Sequence, residues 1–301
     1  MTAPPPAPTT QHAPTQSPST HRRRGVLVVP GSNEKMIRKA LASGADEVVI
    51  DLEDAVAPTR KVEARTAVAA ILAASTMRPE TAVAVRINAV DTEWAAEDLR
   101  ALSECGDAIG SIVVPKVNGA AELVHVAESL RDPSVTLQAL IETPRGVGNI
   151  DEICAATDRL ATVIIGYADL GAALGRAPGS PPQRWIAIQD RILVAARSTG
   201  RAVIDGPHLG TRPDEEFQHS ARWAREQGFD GKWVIHPSQL DFATAEFTPT
   251  DADVADARRV LAALAEAETL GNGAAQLDGR MLDEAVAVAA RRVLDRIGVS
   301  A

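Results

Sequence analysis

The chain has 301 residues, 45% of them hydrophobic and 24% charged, which is enough apolar material for a sizeable core and excludes a globally disordered chain. Lys and Arg number 31 against 40 Asp and Glu, a formal net charge of −9, and the aromatics are only four Phe, four Trp and one Tyr. Neither a phosphate-neutralising surface nor a base-stacking platform is available, so nucleic acid is excluded as a partner. Two cysteines, Cys105 and Cys154, are too few for a disulfide framework or a zinc site, and both lie in apolar helix-like stretches where a thiol packs as a small hydrophobe. No apolar run approaches the ~20 residues of a membrane span. The N-terminus lacks the charged and apolar regions of a secretory signal, and a cytoplasmic, reducing compartment is the expectation.

In chain order, residues 1–20 carry six prolines, many Ser and Thr, and no charged side chain. Nothing there forms an apolar face, so residues 1–23 read as a disordered, Pro-rich tail. Arg24 closes a basic run against the first apolar segment; it is either a solvated junction or part of an anion site. Strand-like runs then follow at Val26–Val29, Glu47–Asp51, Ala82–Ile87, Ser111–Val114, Thr136–Ile141, Thr162–Ile165, Ala202–Ile204 and Trp233–Ile235. Most are continuous Val/Ile/Leu runs, the pattern of strands buried on both faces of a parallel sheet. Amphipathic stretches separate them at Glu34–Ser43, Val62–Ala74, Ala95–Glu104, Ala120–Leu130, Ile150–Ala155, Arg184–Ser198 and Asp214–Gln227. Eight strands alternating with helices predict a (β/α)8 TIM barrel over residues 24–245. The turn after the first strand, Pro30-Gly31-Ser32-Asn33, lacks the Gly-x-Gly-x-x-Gly of a doubly wound nucleotide-binding sheet. Residues 246–301 form a C-terminal helical extension, helical over Thr250–Leu270 and again over Met281–Ile297, as a lid or an oligomerisation segment.

In such a barrel the active site is built at the carboxyl ends of the strands. Here those ends carry Asp51 with Glu53 and Asp54, Arg86 with Asn88, Lys116, Glu142, Asp169, Asp205 with His208, and His236. Charged residues at so many ends of one barrel point to a convergent site. Glu142 and Asp169 follow adjacent strands, so their carboxylates can share one cation. Magnesium, which keeps waters and takes one or two protein carboxylates, suits them better than zinc, for which no His or Cys is placed. The bland alternative is two independent loop-capping acids. Arg86 reads either as a buried ion-pair partner of Asp51 and Glu53 or as a fork facing a substrate carboxylate or enolate oxygen. His236 and His208 read as hydrogen-bonded structural residues, with a catalytic role left open at His208.

These residues resemble the citrate lyase beta-subunit branch of the HpcH/HpaI aldolase/citrate lyase family, which includes malyl-CoA, citramalyl-CoA and 3-hydroxy-3-methylglutaryl-CoA lyases. The likeness lies in Val29-Pro30-Gly31-Ser32-Asn33-Glu34-Lys35-Met36, Asp51-Leu52-Glu53-Asp54-Ala55-Val56, Arg86-Ile87-Asn88 and Val114-Pro115-Lys116. It continues through Ile141-Glu142-Thr143, Gly166-Tyr167-Ala168-Asp169-Leu170, Gly228-Phe229-Asp230-Gly231-Lys232 and Ile235-His236-Pro237. The resemblance implies a homo-oligomer, trimer or hexamer, using Mg2+ to cleave or form a C–C bond of a 3-hydroxyacyl-CoA thioester. By it, Glu142 and Asp169 are metal ligands, Arg86 and Glu142 bind substrate, Glu53 and Asp54 orient metal waters and Arg86, and Arg24 and Lys35 contact CoA phosphates. Met281-Leu282-Asp283 matches a segment that closes the barrel mouth, often from another subunit, which makes Asp283 the general acid/base; its plain alternative is a helix N-cap. Two other readings stand beside lyase: a malate-synthase-like condensation with thioester hydrolysis, and a catalytically idle CoA-binding scaffold subunit.

Overall fold

The computed structural model describes residues 22–74 and 81–298; the Pro-rich stretch up to residue 21 lies outside the described residues. Eight strands, β1 (Gly25–Pro30), β2 (Glu47–Asp51), β3 (Ala82–Arg86), β4 (Ser111–Val114), β5 (Thr136–Ile141), β6 (Leu160–Ile165), β7 (Ala202–Asp205) and β8 (Gly231–Val234), close into one barrel in sequence order. Each pairs in parallel with its neighbours, β8 returning to β1. Parallel neighbours need a crossover, and helices supply it. They are α1 (Glu34–Leu41), α2 (Lys61–Ala74), α3 (Ala95–Leu102), α4 (Ala120–Ser129), the short α5 (Pro144–Gly148) and α6 (Ile150–Cys154), α7 (Tyr167–Ala173), α8 (Ile186–Ser198) and α9 (Glu215–Gln227). A last barrel helix, α10 (Leu240–Glu246), packs back on β1 and β8.

Side chains alternate across each strand, so one set points into the barrel and the other toward the helices. The inward set has an apolar middle layer, one residue from each strand: Val26, Val49, Ala84, Val113, Leu140, Ile164, Ile204 and Trp233. Two residues earlier the layer is polar. Glu47 accepts from Arg23 Nε at 3.0 Å and from Gln138 Nε2 at 2.9 Å and so closes the amino end of the barrel. Two residues later, at the carboxyl end, the same parity delivers Asp51, Arg86, Glu142, Gly166 and Gly206. The spacing that builds the core therefore also gathers the polar groups at the mouth.

Beyond the barrel, α11 (Asp251–Thr269) and α12 (Glu284–Arg296) form an antiparallel pair with its own apolar core of Ala257, Val260, Leu282, Ala290 and Leu294. Between them lies a two-stranded hairpin, β9 (Ala275–Leu277) and β10 (Arg280–Leu282), turning on Asp278-Gly279, both at positive φ. This corrects the expectation of a helix from Met281: Met281 and Leu282 are strand residues, and the helix starts only after Asp283. Asp-Gly at φ > 0 is the turn that fits the twist of a hairpin, and it stops the helix from starting earlier. The pair meets the barrel at its amino end, where Arg296 Nη2 donates to the Phe229 carbonyl at 3.1 Å beside Asp230.

Candidate active site

Asp51, the last residue of β2, is 1% exposed and holds the centre of the mouth together. Its carboxylate accepts from the Glu53 and Ala55 N–H groups at 2.8 and 3.1 Å, fixing the loop that carries Glu53 and Asp54. The same carboxylate takes a fork from Arg86, Nε at 2.8 Å and Nη2 at 2.5 Å. Arg86 Nη1 faces Glu53 Oε2 at 3.1 Å, and the guanidinium lies 6.0 Å above the Trp233 ring. The ion-pair reading of Arg86 is the one seen, with one edge on Asp51 and Nη1 on Glu53. Burial disfavours the charge, but Asp51, Glu53 and Glu142 outweigh it and keep the guanidinium ionised.

Glu142 follows β5 and is 2% exposed. Its Oε1 accepts from the Lys116 backbone N–H at 2.9 Å. On its other side it leans on Gly166, where a Cβ would stand 2.6 Å from Oε2; any larger residue at the end of β6 would displace this carboxylate. Burial, then the Glu53 charge, push the Glu142 carboxyl up, with Asp169 adding to the rise against Arg86, to about 8. Asp169, half-buried in the first turn of α7, is therefore close enough to be felt by Glu142. Glu53 is likewise raised by burial, and its buried Oε2 meets Arg86 Nη1 as an ion pair at 3.1 Å without a formed hydrogen bond. Lys116 Nζ donates to Glu53 Oε1 and pairs with Asp54 at 3.3 Å. Lys61 Nζ donates to the Leu52 and Glu53 carbonyls at 3.0 Å. When all are ionised, five carboxylates (Asp51, Glu53, Asp54, Glu142 and Asp169) face three cations (Arg86, Lys116 and Lys61). The excess of two negative charges and the all-oxygen donor set fit a hard divalent cation.

The sequence-based candidates separate cleanly. Glu53, Asp54, Arg86, Glu142 and Asp169 come together at the mouth. Lys35 is exposed in the first turn of α1, on the rim of the same end. Arg24 does not join them. It precedes β1 at the opposite end of the barrel, with Nε and Nη2 on Asp46 at 2.8 and 2.7 Å and Nη1 on Thr248 at 2.8 Å. Asp283 N-caps α12, accepting from the Ala285 and Val286 N–H groups at 3.0 and 3.2 Å. Asn88 turns away from the mouth and bonds Asp98, which also binds Arg65. His236 caps a single turn through Ser238, and His208 packs edge-on against Phe217. Asp51 and Lys116, also in the charged strand-end pattern, join the site through Arg86 and through the backbone contact to Glu142.

Behind Asp169 lies a second buried set on the outward parity. Lys232 of β8, 1% exposed, donates to Asp205 and to the Gly206 carbonyl. Asp205 accepts from the Tyr167 hydroxyl at 2.5 Å, and Gln189 links Tyr167 to Trp223. This chain anchors the turn that carries Asp169 to two neighbouring strands and two helices.

Residues 24–237 match the model of the HpcH/HpaI aldolase/citrate lyase family. A (3S)-malyl-CoA thioesterase of Cereibacter sphaeroides is 38% identical over 277 residues, 91% of this chain and 94% of the relative. An L-malyl-CoA/beta-methylmalyl-CoA lyase of the same species is 35% identical, covering 88% and 92%. Among solved structures, the protein CitE of Mycobacterium tuberculosis in complex with magnesium, acetoacetate and coenzyme A is 34% identical, covers 93% of this chain and 100% of its own, and superposes with a TM-score of 0.75. The chain spans nearly the whole of each of these relatives, and it belongs to the HpcH/HpaI aldolase/citrate lyase family.

Proposed function

We propose that this protein is a magnesium-dependent lyase that cleaves, or in reverse forms, the C2–C3 bond of a 3-hydroxyacyl-CoA thioester, with malyl-CoA the first substrate to test. The observation that carries this reading is the uncompensated acid pair, Glu142 and Asp169, set beside Arg86 at the mouth of a closed barrel. Glu142 and Asp169 would hold the ion, and the relatives with CoA substrates and the magnesium- and CoA-bound neighbour support the assignment. Magnesium bound there would supply Lewis acidity, easing loss of the hydroxyl proton and formation of the carbonyl.

The residues do the rest. As the hydroxyl proton passes to Asp283, the general acid/base, C3–O becomes a carbonyl, the C2–C3 bond breaks, and its electron pair passes into the thioester enolate. Arg86, fixed by Asp51, presents Nη1 to that enolate oxygen from a rigid mount, which is the arrangement that stabilises developing charge most cheaply. Glu53 orients Arg86 from the other side, with Asp54 paired to Lys116 at the rim. The enolate carbon then takes a proton to give acetyl-CoA or a homologue, and the keto acid remains as the second product. Asp283 is the donor in this scheme. It sits about 20 Å along α12 from the Arg296 attachment, on an appendage that packs on itself and joins the amino end of its own barrel. A second copy of the chain is therefore what brings Asp283 to a mouth, and the C-terminal pair serves as that copy's lid.

The thioesterase relative, the more similar of the two quoted, favours one other reading: hydrolysis of the thioester at the same site. A single assay separates them. With (3S)-malyl-CoA and Mg2+, the lyase gives glyoxylate and acetyl-CoA, while hydrolysis gives malate and free CoA thiol. Malate and free thiol without glyoxylate, or no turnover across malyl-, citramalyl-, citryl- and hydroxymethylglutaryl-CoA, would contradict the proposal.

A further inference from the structure

Lys116 is one of two non-glycine residues with a left-handed backbone among the described residues, at φ = +51°. The other, Asp278, is accounted for by its hairpin turn. Lys116 stands just after β4, and nothing in strand-to-loop geometry requires that conformation, which disfavours an L residue by roughly tenfold or more in equilibrium terms. Strain of this kind persists only where surrounding contacts over-determine it, and such residues gather at functional sites. Such contacts surround Lys116. Asn118 Nδ2 donates to the Lys116 carbonyl at 2.8 Å, and Thr143, next to Glu142, donates to Asn118 Oδ1 at 2.8 Å. The Lys116 N–H donates to Glu142 Oε1, and its ammonium binds Glu53 and pairs with Asp54.

With the N–H directed at Glu142, rotation about N–Cα decides where the side chain goes, and the left-handed angle sends it to Glu53 and Asp54. We propose that Lys116 is a positioning residue whose strained backbone aims the Glu142 carboxylate while its ammonium, by holding Glu53, clamps that strain in place. The inference rests on the reading of Glu142 as a cation ligand. It assigns the lysine a role through its backbone that its charge alone would not have. A nearby positive charge by itself weakens cation binding, so simple removal of the ammonium would tighten it.

The test compares Lys116→Ala with Lys116→Gly in the full-length chain, titrating Mg2+ alone by calorimetry. Both variants lose the ammonium, but only glycine adopts φ = +51° without penalty. The expected result is Mg2+ affinity about tenfold weaker in Lys116→Ala and within about threefold of wild type in Lys116→Gly. A thermal melt in chelator is expected to rank Lys116→Gly above Lys116→Ala. Equal affinities in the two variants, whether both tightened or both weakened, while the wild type binds Mg2+, would overturn this inference and leave the functional reading standing. No Mg2+ uptake by the wild type would overturn both.

Discussion

At the scale of single residues the site depends on buried charges that satisfy one another. Arg86 is the clearest case, because its fork on Asp51 needs two coplanar donors. Arg86→Lys keeps the charge and loses the fork, so activity is expected to fall by at least 100-fold with little change in the thermal midpoint, measured as kcat/KM for malyl-CoA cleavage. Glu142 gives a pH signature. An unfolded glutamate titrates near ~4.3, whereas here burial and the Glu53 charge hold the carboxyl up, at about 8. Between those values the folded chain binds one proton more than the unfolded chain, so without a divalent cation stability falls as pH rises from ~4.3 to ~8 and then levels. Glu142→Gln lacks this term. In chelator it is expected to exceed the wild type at pH 8 by on the order of a few kcal/mol, the gap closing toward pH 5, measured by urea unfolding across pH. A constant difference across that range would contradict the assignment. Cys154, its thiol pushed up to about 12 by burial, is expected to resist thiol reagents in the native state and react only on unfolding.

At the scale of elements, the strands were legible because a strand buried on both faces is a plain apolar run. Boundaries slipped where a charged residue is hidden in the wall. β8 begins at Gly231 rather than Trp233 because Lys232, which reads as a loop residue, is a buried partner of Asp205. Arg86 and Glu142 were legible by the same periodicity, two residues beyond the apolar middle layer, whereas Glu53, Asp54 and Asp169 were legible only as charges in the segments that follow strand ends. Asp51 and Lys116 were legible as charged strand ends, and so was the Asp51–Arg86 pair, but the hold of the Lys116 backbone on Glu142 was not, because no single stretch of sequence displays a contact between strands. The hairpin before α12 had a local signal, Asp278-Gly279 between two short runs, that the apolar spacing of Met281–Ile297 masked. The buried Lys232–Asp205–Tyr167 chain yields a prediction at this scale. Lys232→Met leaves a carboxylate buried without its cation and is expected to cost about 3–5 kcal/mol of stability by chemical unfolding. The paired change with Asp205→Leu is expected to recover part of that loss.

At the scale of the whole molecule, a barrel with its acids at one end carries a helical pair attached at the other. No described helix is long and apolar enough to cross a membrane, and Met281, two residues before Asp283, is an exposed apolar side chain. If a second copy brings Asp283 to the mouth, Asp283→Ala and Glu142→Ala chains are each inactive alone. Mixed after dissociation and reassembly, they are expected to recover a fraction of wild-type turnover, because some mouths then combine an intact acid pair with an intact Asp283. No recovery in a verified mixed assembly would assign Asp283 only its role as the cap of α12. The proposed chemistry turns on one cation shared by two acids. Calorimetric titration of Mg2+ into the chelator-stripped chain is expected to give one site per chain in the wild type and none in Glu142→Ala or Asp169→Ala, each still folded. Wild-type stoichiometry and affinity retained in either variant would contradict it.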